Sequence, residues 1–368
     1  MADRWPLVAA FSAALGVAIG VAIVPAPPTG AAPDTSVEQM IEQGHWTRAR
    51  AALGPALAAH PDDPVLLRQM AHVTQMFGDL DAAKTQAERA VKLAPKDAAA
   101  HARLADICGE SAQKAGPLHQ IGLAREFKRE ADAALAVDPD QKDAQLDLIS
   151  FYQNAPGIVG GDKKKAKTLV DAIVARDPAW AWEARERYAS ETRDTSALGG
   201  IYKDAVAKHP DDYRARLALA GWLAAPWRGT LAQSEEQTRA ALALDPGRSG
   251  AYTILAILEA RAARWDDLEH TLADAETEVP DDLAPWYQAG RITLVEKNDG
   301  ERAERYFRHY LTRPPEAGGS PVAAAHWRLG LALEKQGKKG EAVAEIETAT
   351  RMDPKFEPAK KDLQRLKG

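Results

Sequence analysis

Residues 283–314 read LAPWYQAGRITLVEKNDGERAERYFRHYLTRP. Apolar and small residues recur here at helical spacing, first through Trp286 and Gly290, then through Ala303, Phe307 and Tyr310. Pro314 closes the stretch, because proline cannot continue a helical hydrogen-bond ladder. The stretch therefore reads as two helices and a stop.

The stop recurs along the chain. Prolines stand at Pro61, Pro95, Pro139, Pro178, Pro210, Pro246, Pro280, Pro314 and Pro354. The successive gaps are 34, 44, 39, 32, 36, 34, 34 and 40 residues. Most have an aspartate or another turn residue beside them, as in HPDDP, LAPKD, HPDDY and VPDDL. The interior of each period repeats as well. In 323–354, Leu329, Gly330, Ala342, Ile346, Ala349 and Pro354 occupy the matching places, with KQGKKGEA as the internal turn. In 64–97 they are Leu67, Ala71, Gly78, Ala83, Ala87, Ala90 and Pro95. Weaker copies fall at 179–210 and 211–246.

A period near 34 with this pattern resembles the tetratricopeptide repeat across about 35–361, in the form of an exported bacterial protein of that family. The resemblance implies an all-α, right-handed superhelical solenoid of about nine helix–turn–helix pairs, followed by a polar capping helix in EPAKKDLQRLK. Small residues such as Ala83, Ala303 and Ala342 are expected where the two helices of a pair cross. Trp286 and Phe307 are expected to fill the wedge between neighbouring pairs.

The rest of the composition agrees. The chain has 368 residues, more than one compact core usually holds, which suits several domains or an array growing in one dimension. A net charge of −6 argues against nucleic acid as a partner. Cys108 is the only cysteine, so an intramolecular disulfide and a thiolate metal cluster are excluded. The nine histidines are scattered and form no metal-binding pair. Neither a cofactor nor a metal site is expected. No nucleophile–base arrangement stands out, and the chain reads as a non-enzyme.

The first 33 residues carry an address. Arg4 precedes an uncharged apolar run from Trp5 to Ala26. A signal-peptide apolar region is about 7–15 residues long and a spanning helix needs about 20, and this run lies near the upper boundary. Small residues at Thr29-Gly30-Ala31 or Gly30-Ala31-Ala32 suit cleavage, while Pro27 and Pro33 oppose it. Either outcome, soluble after cleavage or anchored to the inner membrane, places the solenoid at 34–368 outside the cytoplasm, by expectation in a bacterial periplasm.

Departures from the period point to a site. The long gaps hold excess residues at 113–120, 154–161 and 223–234, all read as elongated turns between the first (A) and second (B) helix of a pair; at the first, the long segment LHQIGLAREFKREADAALAVDP also implies that both helices are extended by a turn or more. PEAGGSPVAA, before the last repeat, falls between pairs and reads as a joint. The central stretch, NAPGIVGGDKKKA (154–166), looks like a phosphate loop but has the wrong spacing, and Lys164 stands where Ser or Thr should hold magnesium. Asp162 is a good helix N-cap. It puts Lys163, Lys164 and Lys165 in the first turn, where free amides and lysines would suit an anion, or the lysines simply splay into water. In this stretch Tyr152, Pro156, Gly160 and Gly161 also resemble a family-specific turn of exported tetratricopeptide proteins, which supplies no activity.

Aromatics gather nearby. Helix A lines the concave face in this family. Tyr152, Trp182, Tyr188 and Trp222 are therefore candidates for an aromatic floor, with Trp227 beside it and Arg185, Arg187, Arg214 and Arg216 at its sides. The alternative for Trp182 and Trp222 is packing between repeats, as expected for Trp265, Trp286 and Trp327. Two functions are carried forward. One is a scaffold or chaperone-like adaptor that binds a peptide or protein in the concave groove. The other is a carrier of a small apolar or anionic ligand in the central repeats.

Overall fold

A computed structural model describes residues 36–225 and 227–368. The N-terminal address lies outside the described residues. Nineteen α-helices, one 3₁₀ turn and no strand occur among them. They form nine consecutive A/B pairs and a final single helix, so the expected all-α repeat solenoid is present. In chain order the pairs are α1 (Val37–Gln43) with α2 (Trp46–Ala59), α3 (Pro64–Met76) with α4 (Leu80–Leu93), and α5 (Ala98–Lys114) with α6 (Pro117–Val137). They continue with α7 (Lys142–Asn154) and α8 (Lys163–Arg176), α9 (Ala181–Glu191) and α10 (Leu198–Lys208), and α11 (Tyr213–Leu223) and α12 (Leu231–Leu244). The last are α13 (Ser249–Ala262) with α14 (Trp265–Glu278), α15 (Ala284–Glu296) with α16 (Gly300–Tyr310), and α17 (Val322–Lys335) with α18 (Lys339–Met352). The cap is α19 (Glu357–Lys367).

The proline–aspartate punctuation explains the boundaries. Every closing proline except Pro314 stands two residues after the end of a B helix. At Pro61, Pro95 and Pro210 an aspartate two residues on then caps the next A helix. Asp63 accepts from the amides of Val65 and Leu66 at 2.8 and 3.1 Å. Asp97 does the same for Ala99 and Ala100, and Asp212 for Arg214 and Ala215. One dipeptide spacing thus stops one helix and starts another.

Helices α1–α10 belong mostly to one compact unit, 36–42 with Arg48–Ala205; the other comprises Gln43–Thr47 and Val206–Gly368. In the first, Ala83, Ala87, Cys108, Phe127 and Leu148 share a core, and Leu146, Ile149 and Ile173 share the next. Of the elongated turn and the extended helices expected around 113–120, the extended helices are found. Only Ala115 and Gly116 separate α5 from α6, so the extra residues lengthen both helices.

In the second unit, Ala303 and Ala342 are fully buried where the helices of their pairs cross. A Cβ on Gly330 would lie 2.4 Å from Ile346 Cγ1, so that crossing requires glycine, and one on Gly290 would lie 3.0 Å from the Phe307 ring, which would have to give way. Trp286 packs into two successive cores and stacks on His309, with ring centroids 3.8 Å apart. The joint at 315–321 is folded. The buried Glu316 carboxylate accepts from the Thr47 amide and hydroxyl (3.1 and 3.0 Å) and from the Ala317 amide (2.9 Å). In the same unit Gln43 Nε2 donates to Asp245 at 2.9 Å, and His45 lies 3.1 Å from Asp281. The cap α19 buries Ala359 and Leu366 and leaves Lys361 and Gln364 exposed.

Candidate functional site

The turn at Ala155–Asp162 is built by its backbone. The Val159 amide donates to Pro156 O (3.0 Å), Gly161 to Pro156 O (3.2 Å) and Asp162 to Tyr152 O (2.9 Å). Gly160 has φ +108°, and a Cβ on Gly161 would sit 1.7 Å from Ala155 O. Neither position accepts a side chain without rearrangement. Val159 points inward and is buried, whereas Ile158 is 72% exposed. Asp162 caps α8 as expected, accepting from the amides of Lys164 and Lys165 at 3.0 and 3.2 Å. That contact removes the amide half of the anion-site reading, because those donors are already taken. The three lysine side chains remain exposed. Tyr152 lies beneath them, with Lys128 and Lys165 at 5.7 and 6.0 Å from its ring centroid.

The second feature is a polar network on the A helices of the first unit. Helices α3, α5, α7 and α9 lie side by side. Residues three, four and seven apart on one helix share a face. On that basis Arg68, His72 and Gln75 line α3, Arg103, Asp106 and Glu110 line α5, and Asp143, Asp147 and Ser150 line α7. Arg103 donates to Asp106 at 2.7 Å and to Gln75 at 3.2 Å. Gln75 Nε2 bridges to Asp106 and Glu110, each at 3.1 Å. Arg187 of α9 donates to Ser150 at 3.2 Å and lies 3.9 Å from Asp147. The helices thus carry a ladder of charged, partly exposed groups rather than a wall of aromatics.

The electrostatics of this face are specific. Burial pushes the Asp147 carboxyl well above its ordinary range, and the Asp106 charge adds to the shift; Arg187 and Arg103 pull the other way. Asp106 is raised too, chiefly by burial, with Arg103 opposing. Burial, then Arg103 and Arg68, lowers His72 to about 3, which keeps it neutral in the physiological range. Two carboxyls held up by burial thus sit among arginines.

Tetratricopeptide-repeat families match the chain at residues 40–107 and 292–355. Together with nine helix pairs in a period near 34, these matches at both ends decide the family. The chain is a tetratricopeptide-repeat protein. No curated protein sequence matches it. Among solved structures, a tetratricopeptide-repeat protein from Parabacteroides merdae is 15% identical, with 83% of this chain and 99% of that chain covered and a TM-score of 0.42. The Cut9–Hcn1 hetero-tetramer of the APC/C is also 15% identical, with 90% and 76% covered and a TM-score of 0.42. The human IFIT1 dimer with m7Gppp-AAAA is 13% identical, with 86% and 80% covered and a TM-score of 0.45.

In this repeat array the expected aromatic floor does not form. Trp182 is buried edge-on to Tyr202, with centroids 6.3 Å apart. Tyr188 packs onto the core around Ile149 and Ile173. Arg185 is tied to Asp204 at 2.6 Å. Trp222 and Trp227 belong to the other unit. Arg228 lies 5.6 Å from the half-buried Trp222 ring and 6.0 Å from Trp227, which is 80% exposed. The third long turn is shorter than expected, Ala224–Thr230, since Leu231–Ser234 already belong to α12. Arg216 is held by Pro210 O and Gln237. Trp265 and Trp327 pack as expected, under Arg302 at 4.2 Å and against Phe356 at 5.3 Å. Cys108 is buried, and burial raises its thiol to about 12.

Sequence reading missed the ladder at Gln75, Arg103, Asp106 and Asp147. Its signal was present as polar residues at i, i+3 or i+4, and i+7 on A helices. What was absent was the register between helices, since the bonded partners stand 28–37 positions apart.

Proposed function

We propose that this protein is a non-enzymatic binding scaffold of the bacterial envelope. Its docking strip is the A-helix face of the first unit, from α3 to α9. The ladder of Arg103, Asp106, Asp147 and Arg187, partly exposed in front of the buried Gln75, carries this reading. These groups are neither sealed in a core nor dispersed into solvent, and a repeat array presents its A helices as a continuous surface. An extended peptide segment fits such a strip. Asp106 and Asp147 gain when a cation is brought alongside, because burial holds them above their ordinary range. The partner segment therefore presents a lysine or arginine at that centre. The envelope location rests on Arg4 and the apolar run Trp5–Ala26. No described helix is long and apolar enough to cross a membrane.

A photo-crosslinking residue placed at Glu110 or Ser150, on the A helices, is expected to capture a protein partner. The same residue at Lys167 or Thr168, on α8, is expected not to. Capture from α8 alone, or capture only of a small ligand, overturns the proposal.

A further inference from the structure

We propose that the turn at 155–165 is a second contact surface, which docks on an anionic lipid bilayer. Ile158 enters the acyl boundary, and Lys163, Lys164 and Lys165 meet the head-group phosphates. This surface is separate from the A-helix strip and does not depend on peptide binding there.

Three observations carry it. The first is Ile158, at 72% exposed the most exposed large aliphatic residue among the described residues. Its neighbour Val159 is buried, and the backbone bonds of Gly161 and Asp162 hold the tip on a fixed base. The second is the lysine run. Neither Lys163 nor Lys164 has an ion-pair partner among the described residues, and all three lysines are exposed, although the chain carries a net charge of −6. The third is that these cations occupy the first turn of α8, where the helix dipole favours anions and lysines weaken the helix. At Lys163 and Lys164 no ion pair among the described residues offsets that cost, which points to a functional position.

A bilayer fits this chemistry better than a protein. One apolar tip offers far less than the ~800 Å² per side that a stable protein interface buries. One apolar side chain beside several lysines is enough for an interfacial contact that is already tethered. The run Trp5–Ala26 supplies that tether, in the reading that it is retained.

The test uses the full chain with Gly157→Cys carrying an environment-sensitive fluorophore. A Cβ at 157 meets open space, and Cys108, with its thiol raised to about 12, does not compete for the label. The protein is reconstituted into phosphatidylcholine vesicles with or without phosphatidylglycerol, with nitroxide quenchers at a shallow acyl position. Quenching is expected only with phosphatidylglycerol. Adding Ile158→Glu abolishes it. Each lysine changed to glutamine lowers the lipid-bound fraction about fivefold at low salt, and the triple change on the order of a hundredfold. A label that stays in water on both vesicle types overturns the proposal, as does full quenching in the triple variant. A label shielded by added envelope proteins but not by vesicles makes this a protein-docking surface and also overturns it. Vesicles contain no peptide, so failure of the A-helix strip leaves this result unchanged.

Discussion

Gly330→Ala is expected to destabilise the α17–α18 pair, although alanine is the better helix former. The gain from helix propensity is about 1 kcal/mol. Against it, the new Cβ would lie 2.4 Å from Ile346 Cγ1 and 2.9 Å from Ala342 O. Normal carbon contacts start near ~3.5 Å, so the helices must part by roughly 1 Å. Ile346 is fully buried and Ala342 O belongs to backbone, so neither yields cheaply. Overpacking of this kind costs about 1–3 kcal/mol. Because neither neighbour yields, the upper part of that range, about 2–3 kcal/mol, applies, and the net expectation is a loss of about 1–2 kcal/mol. Gly122→Ala is the matched control. It lies within α6, exposed, with nothing within 4 Å of its Cβ, and is expected to stabilise by about 0.5–1 kcal/mol. Denaturant melts and native-state hydrogen exchange of α17 read both changes, and exchange localises the effect in a chain that need not unfold in one step. A Gly330→Ala protein as stable as its parent would refute the close crossing.

Glu259 is almost fully buried beside Arg239 at 3.4 Å, and burial raises its pKa. Its native form therefore binds more protons than the unfolded chain above the ordinary carboxylate pKa, and stability falls as pH rises through that window. Glu259→Gln should melt higher than the parent at pH 8 and alike at pH 4; a lower melting temperature at pH 8 contradicts this. Asp97→Ala removes the cap on α5 and should cost about 1 kcal/mol, read as a shift in the denaturation midpoint; no shift would show the cap to be idle. The Cys108 thiol should resist a thiol reagent at pH 8 in the folded protein and react on denaturation; rapid labelling of folded protein would contradict its burial.

The fold was legible because its cues are local. Pro95 and Asp97 stop and start helices through bonds that span two or three residues, and Ala303 or Gly330 reports a crossing by size alone. The turn was half legible. Asp162 was recognisable as a cap, yet that same cap occupies the amides that an anion would need. The excess at 113–120 left two readings open, a long turn and longer helices, because added residues in a helical stretch lengthen α5 and α6 as readily as they lengthen a loop; the helices took them. Trp182 looked like a binding aromatic because composition does not say which side of α9 meets Tyr202. The charged ladder depends on which turn of α3 faces which turn of α5, and no single helix encodes that.

The central claim is that the A-helix face of the first unit docks a peptide. Hydrogen exchange of the purified chain with its captured partner tests this directly. The account predicts added protection along α3, α5, α7 and α9, with little change in α4, α6 and α8, and loss of that protection in the Asp106→Asn, Asp147→Asn double variant. Protection confined to the B helices, or unaffected by the double variant, would contradict it.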